Sequence, residues 1–239
     1  LLAGLLAMLV AVTVRRGAVS AAALSWQAMA RDAGVTIRAG APLLLAAAFA
    51  VYTFQFFAVF SFLPVLLVER MEVSVAAAGV LSAVAIVANI LGNLIAGMLL
   101  ARGTSRWVLI AVASVVMGLA GIAIFLPVTP ALWVFLLCVV FSGVGGLLPA
   151  TVLGGAPQLA PAPHLAPISV GLVIHGNNLG QLMGPVAVGV IVDAAGWSAA
   201  AIPAAVASAL GVVIAFALRR SLRPRSGKPT PRSGNKPVM

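Results

Sequence analysis

Charged residues are the scarcest class in this chain. Only 8% of its 239 residues are charged, whereas a soluble domain has about 25%, and only four residues are acidic. Hydrophobic residues make up 63% of the chain. A soluble fold cannot bury that much apolar surface, because its area still grows as roughly the 0.73 power of mass. The composition excludes a soluble domain, a disordered chain and a coiled coil, and it predicts a protein whose solvent is lipid.

Cysteine and catalytic groupings are also scarce. The lone Cys138 cannot form an internal disulfide, so a disulfide scaffold is excluded. The sequence has no Walker-type phosphate loop, no metal-ligand cluster and no nucleophile triad, and no Asp or Glu lies deep in an apolar run. It therefore predicts no catalytic residues, no metal and no cofactor, and a protein that is not an enzyme.

Long apolar runs dominate what is present. A membrane helix needs about 20 mostly apolar residues. Six complete candidates occur, named here span 1 to span 6: 43–68, 75–100, 107–126, 131–153, 168–193 and 198–218. The chain also opens within an apolar run, 1–14, which predicts the end of a truncated seventh helix. Ser74 is placed to cap span 2, and Gly196 and Trp197 form a tight turn before span 6.

Basic residues lie between the spans and give them an orientation. With Arg15 inside, 13 of the 14 basic residues fall in inside segments, and only Arg70 lies outside. The net charge of +10 is therefore a topology signal and not a nucleic-acid surface. The interpretation predicts a cytoplasmic linker at 15–42 with a short helix around 26–31, and a basic, disordered cytoplasmic tail at 219–239. The expected location is the bacterial inner membrane.

Polar residues are distributed unevenly among the spans. Spans 1, 2, 4 and 5 each carry polar groups near mid-depth, whereas Ser114 and Ser208 are the only ones within the bodies of spans 3 and 6. Because polar groups are costly in hydrocarbon, we expect the four polar spans to surround an aqueous cavity and spans 3 and 6 to face lipid. The candidates for contact with a solute are Tyr52, Gln55, Asn89, Ser142, His175, Asn178 and Gln181.

Three of these candidates leave alternatives open. The imidazole of His175 either carries a proton or binds an anion, or it is a neutral group bonded to a neighbouring helix. Asn178 and Gln181 lie three residues apart on one helix face, where they either contact a solute or join span 5 to span 2 or span 4.

The polar pattern repeats after three spans. A shift of 92 residues places Gly79 on Gly171, Asn89 on Gln181, Gly92 on Gly184 and Gly97 on Gly189. Since three is odd, the two triplets have opposite orientations, which is the inverted repeat of many secondary transporters. Span 5 also carries candidate packing or hinge residues: Gly176, Gly180, Gly184, Pro185 and Gly189.

Two motifs resemble those of the major facilitator superfamily. Gly97, Leu99, Arg102 and Arg106 match the family's loop pattern G-x-L-x-D-R-x-G-R-R, from which Ala101, Thr104 and Ser105 depart. The second is the Gly180-x-x-x-Gly184-Pro185 segment, continued to Gly189, Asp193, Gly196 and Trp197, and it is similar to helix eleven of many members.

The resemblance covers nearly the whole chain and implies the C-terminal half of such a transporter, an all-α polytopic bundle with a 3+3 inverted repeat at 43–218. It implies movement of a small solute by alternating access, with a proton as a candidate coupling ion and the N-terminal half of the protein as partner. A small-anion permease and a drug or metabolite exporter both fit. A non-transporting receptor or scaffold is the main alternative, and a membrane-embedded enzyme is a weaker one.

Overall fold

The computed structural model describes residues 25–222, and this part of the chain is helical without any strand. The predicted helix end at 1–14, the first part of the linker at 15–24 and the tail from 223 onward lie outside the described residues. The linker helix is longer than predicted. It begins after Ser25, whose side chain accepts a hydrogen bond from Ala28 N at 3.1 Å, and it continues to Arg38.

Within residues 25–222, six helical segments are long and apolar enough to cross a membrane, so the chain is an integral membrane protein. They are Ala41–Met71, Val75–Ala101, Arg106–Phe125, Ala131–Gly155, Pro163–Ala195 and Trp197–Ser221, and every end lies within a few residues of the predicted one. The α-helices are α1 (Trp26–Arg38), α2 (Ala41–Phe60), α3 (Leu63–Met71), α4 (Val75–Ala101), α5 (Arg106–Phe125), α6 (Ala131–Gly145), α7 (Leu147–Gly155), α8 (Ala166–Ala195) and α9 (Ala201–Ser221).

The ends of the spans follow from local chemistry. Ser74 accepts a hydrogen bond from Ala77 N at 3.2 Å, which confirms the predicted cap of span 2. Span 3 ends at Phe125, before the Pro127–Pro130 segment, where the missing proline N–H groups stop the helix. Gly196, with φ of +77°, makes the turn into span 6 in a conformation that side chains avoid. Spans 1 and 4 are each interrupted, between α2 and α3 and between α6 and α7.

The spans pack in three principal pairs: span 1 with span 5, span 2 with span 4, and span 3 with span 6. Spans 1 and 6, and spans 3 and 4, also pack and join the pairs into one bundle. Spans 2 and 5 lie at the margins of the bundle, and they are the two spans with the most exposed surface. If span 1 is exchanged with span 4, span 2 with span 5 and span 3 with span 6, these five pairs of neighbouring spans remain the same five pairs.

Glycines set how closely the first two pairs approach. Gly176, Gly180 and Gly184 of span 5 lie directly against the backbone of span 1, and a Cβ at each would overlap the carbonyl oxygens of Ala46, Ala50 and Phe54 respectively. In the other pair, Gly92 lies against Gly143 and Gly146. The predicted stripe on span 5 is thus a helix contact, and Gly92 lies at the matching contact of the other pair.

The contact between spans 3 and 6 corrects the expectation that both simply face lipid. Ser208 Oγ donates to Ser114 O across the contact at 2.8 Å, and a Cβ on Gly118 or Gly211 would overlap Ser208 or Ser114. A hydroxyl in an apolar medium gains most from a protein acceptor, and the Ser208 hydroxyl finds one in the backbone carbonyl of Ser114. Their outer faces remain apolar, with Leu119 and Val213 exposed.

Candidate functional site

A cavity of about 340 Å³ lies where spans 1, 2, 4 and 5 meet. These are the four spans that the polar pattern selected. Two of the predicted residues, Tyr52 and Asn89, line it. Its other walls come from the four spans as follows: Phe49, Thr53, Phe56 and Phe57 from span 1, Ile86, Val87 and Ile90 from span 2, Pro149 from span 4, and Asn177 from span 5.

Asn89 is the centre of a hydrogen-bond network beside this cavity. Its Nδ2 donates to Tyr52 OH at 3.0 Å and to Ser142 O at 3.1 Å, so it joins span 2 to both span 1 and span 4. Asn93 Nδ2 in turn donates to Asn89 Oδ1 at 2.9 Å. The network fixes the Tyr52 hydroxyl and the Asn89 amide at the cavity wall, where each retains capacity for a further bond to a solute.

Aromatic rings form most of the remaining wall. Tyr52 stacks with Phe49 at a centroid distance of 5.9 Å and packs against Phe56 at 5.7 Å, and Phe56 meets Phe57 edge-on at 5.7 Å. A cavity with aromatic walls and a few fixed polar groups suits a small solute that has both an apolar body and hydrogen-bonding groups.

Two predicted site residues are buried in helix contacts instead. Gln55 is 3% exposed, and its Nε2 donates to Ala204 O of span 6 at 2.9 Å. Ser142 is fully buried, and its Oγ has no hydrogen-bond partner among the described residues. The position of a residue along a span does not say which face of the helix its side chain occupies. Their predicted contact with a solute stays a prediction.

The other three candidates share one exposed face of span 5. His175, Asn178 and Gln181 are three residues apart, and all are exposed. None of them bonds to span 2 or span 4. His175 Nδ1 lies 2.8 Å from Gly171 O of its own helix, and Asn178 Oδ1 accepts from Asn177 Nδ2 at 3.1 Å. The side-chain amide of Gln181 makes no hydrogen bond within the described part of the chain. The inter-helix alternative is therefore absent in this conformation.

Sequence reasoning did not select Asn177 and Thr53. Asn177 follows Gly176, so it lies on the side of span 5 that packs on span 1, and Thr53 Oγ1 lies 3.0 Å from its carbonyl oxygen. The available signal was the glycine stripe. The glycine stripe of span 5 contacts span 1, so a residue next to the stripe on the helix surface, such as Asn177, lies at the edge of the contact between the two spans. Asn178 lies on the side of the helix away from this contact.

The predicted loop motif lies at the end of the bundle where span 2 passes into span 3. Gly97 and Arg102 are exposed, and a Cβ on Gly97 would meet nothing within 4 Å. Arg106 is half-buried, and its Nη1 donates to Thr151 O at 3.0 Å, which ties the start of span 3 to span 4. Within residues 25–222, no cluster of His, Cys, Asp and Glu could hold a metal ion.

Comparison with known proteins gives no family for this chain: no protein-family model matches it, and no curated protein matches its sequence.

Proposed function

We propose that this chain is the six-span half of a secondary transporter, resembling the C-terminal half of a major facilitator superfamily member. The observation that carries the proposal is the polar face of span 5. His175, Asn178 and Gln181 are exposed within a span that is long and apolar enough to cross a membrane. Such groups are costly against lipid, so this face needs water or further protein beside it. A solute pathway between this bundle and a second one supplies both.

The packing supports an inverted repeat within this half. The principal span pairs are preserved when the two triplets are exchanged, and two glycines that a 92-residue shift pairs, Gly92 and Gly184, occupy matching close contacts. An inverted repeat of three spans is a common architecture of secondary transporters, with the solute site near mid-membrane between repeats. The cavity beside Tyr52 and Asn89 lies between spans of both triplets.

Charge supports one orientation of the bundle. Arg102, Arg106 and Arg219 lie at the end where spans 2 and 6 finish. Glu69 and Asp193 lie at the other end, which among the described residues has a single arginine, Arg70. We propose that the arginine-bearing end is cytoplasmic, because basic residues are retained on the inner side of the membrane.

Gln181 provides the test of the solute pathway. A ligand is first found by screening small organic solutes for thermal stabilisation of the purified protein, since a ligand that binds the folded state raises the melting temperature. We expect Gln181→Ala to weaken binding of that solute by roughly two- to tenfold, the effect of one lost hydrogen bond. The matched control is Leu182→Ala, a neighbouring exposed residue with no polar group. Unchanged affinity with less protein in the membrane would assign Gln181 to helix association instead.

His175 is the candidate proton carrier in this proposal. It is the only histidine within α8 and is exposed on the same face as Gln181. We expect His175→Gln to remove the pH dependence of transport while leaving transport at a fixed pH measurable, because glutamine keeps a polar group but cannot titrate. The measurement is solute flux into proteoliposomes across a pH series. An unaltered pH profile would place the coupled proton elsewhere in the protein.

A further inference from the structure

A second cavity, of about 460 Å³, lies at the arginine-bearing end of the bundle. It is an open cavity bordered by the turn from span 2 into span 3, the segment after span 4 and the end of span 6. Ser105, Arg106, Trp107, Leu159 and Arg219 contribute to its walls. It is separate from the cavity beside Tyr52, and the proposed transport cycle gives it no role.

The guanidinium of Arg106 is held at the wall by neutral groups. It donates to Thr151 O at 3.0 Å and to Gln158 Oε1 at 2.5 Å. Neither acceptor neutralises the charge. Since a guanidinium has five N–H groups in a planar fork, most of its donors remain for a ligand.

Arg219 is placed by an aromatic ring. Its guanidinium carbon lies 4.6 Å from the ring centroid of Trp107, and Trp107 packs against Phe216 at 5.8 Å. A guanidinium over a ring face is fixed in its plane, while the N–H groups at its edge stay free to donate. Two guanidinium groups are thus pre-oriented on the walls of one cavity.

No carboxylate balances these two charges within the described residues. The only ion pair there joins Arg31 and Asp32, and the three other acidic residues of the chain lie at the opposite end of the spans: Glu69, Glu72 and Asp193. The start of span 3 adds to the positive field, because α5 begins at Arg106 and the Ser105 side chain makes no capping bond to its N–H groups.

We propose that this cavity binds a phosphate group, carried either by an anionic phospholipid headgroup or by a small soluble phosphate ester. Two oriented guanidiniums and a free helix start match the several oxygens and the charge of phosphate better than the single plane of a carboxylate. The apolar wall that includes Leu159 lies beside these groups, which suits a headgroup whose acyl chains remain in the bilayer.

The test is ligand retention on the purified full chain, measured by native mass spectrometry. The probes are phosphatidic acid, phosphatidylcholine and glycerol 3-phosphate. We expect Arg219→Gln to weaken phosphate binding about tenfold, as for a lost charge-assisted hydrogen bond. The matched control is Arg220→Gln, the next residue on the same helix. It removes the same charge but is exposed and outside the cavity, so binding should change little.

A second variant separates binding from folding. Ser105→Glu places a carboxylate at the start of span 3, where a negative charge favours the helix, but it also places that charge in the cavity. We expect normal folding and loss of phosphate binding.

Retention of phosphatidic acid over phosphatidylcholine, with this ranking of variants, supports a lipid headgroup. The same ranking with glycerol 3-phosphate supports a soluble ester. Equal losses for Arg219→Gln and Arg220→Gln, equal retention of both lipids, or no retention of any probe would overturn the proposal.

Discussion

Replacing Gly180 with leucine should strongly destabilise the folded protein and lower its melting temperature. The Gly180 Cα faces the backbone of span 1, and even a Cβ would overlap Ala50 O and Thr53 Oγ1. Overpacking a well-packed contact costs about 1–3 kcal/mol, and we expect the upper end because the obstructing atoms include backbone that cannot rotate away. A cost of about 3 kcal/mol is roughly a hundredfold in the folding equilibrium.

The matched control for this prediction is Gly171→Leu in the same helix. A Cβ on Gly171 would meet nothing within 4 Å, and leucine forms helix better than glycine, so this variant should fold at least as well as the wild type. The measurement is the folded fraction and melting temperature in detergent, by size-exclusion chromatography and thermal denaturation. Equal destabilisation by both variants would contradict the assignment of the stripe to the contact between spans 1 and 5.

Two cysteine variants should differ strongly in their reaction with a water-soluble thiol reagent. Ile90 is 57% exposed on the wall of the cavity beside Tyr52, whereas Leu119 is 66% exposed on the outer face of span 3, and both lie in the central part of their spans. In the transporter that we propose, position 90 borders water and position 119 borders lipid. A thiol in apolar surroundings ionises poorly, and only the thiolate reacts. Two pKa units change the thiolate fraction by about a hundredfold, so we expect Ile90→Cys to react at least that much faster than Leu119→Cys.

The chain is suited to this measurement because its single native cysteine, Cys138, is fully buried and can be replaced by alanine in the background. The rate of maleimide labelling is measured in native membranes. A third variant, Val213→Cys on span 6, extends the lipid-facing control to the partner of span 3. Equal, slow reaction at positions 90, 119 and 213 would contradict an aqueous cavity and favour a scaffold that has no solute pathway.

The sequence predicted features that depend on neighbours along the chain. The six spans follow from the length of apolar runs, and the cap at Ser74 and the break before Pro130 follow from local backbone chemistry. Even the close contact of span 5 was indicated, because glycines four residues apart lie in one line on any helix. The inverted repeat and the transporter family stay predictions.

The tertiary structure decided which way each polar side chain faces. Gln55 and Asn89 have similar depth and polarity, yet Gln55 is buried against span 6 and Asn89 borders a cavity. Ser114 and Ser208, isolated along the sequence, meet in space across the contact between spans 3 and 6. The physical reason is that nearly every face of these helices is apolar. The pattern of hydrophobic residues therefore does not indicate which side of each helix is buried. The direction in which a polar side chain faces depends on how the helices pack, and the glycines determine where they approach closely.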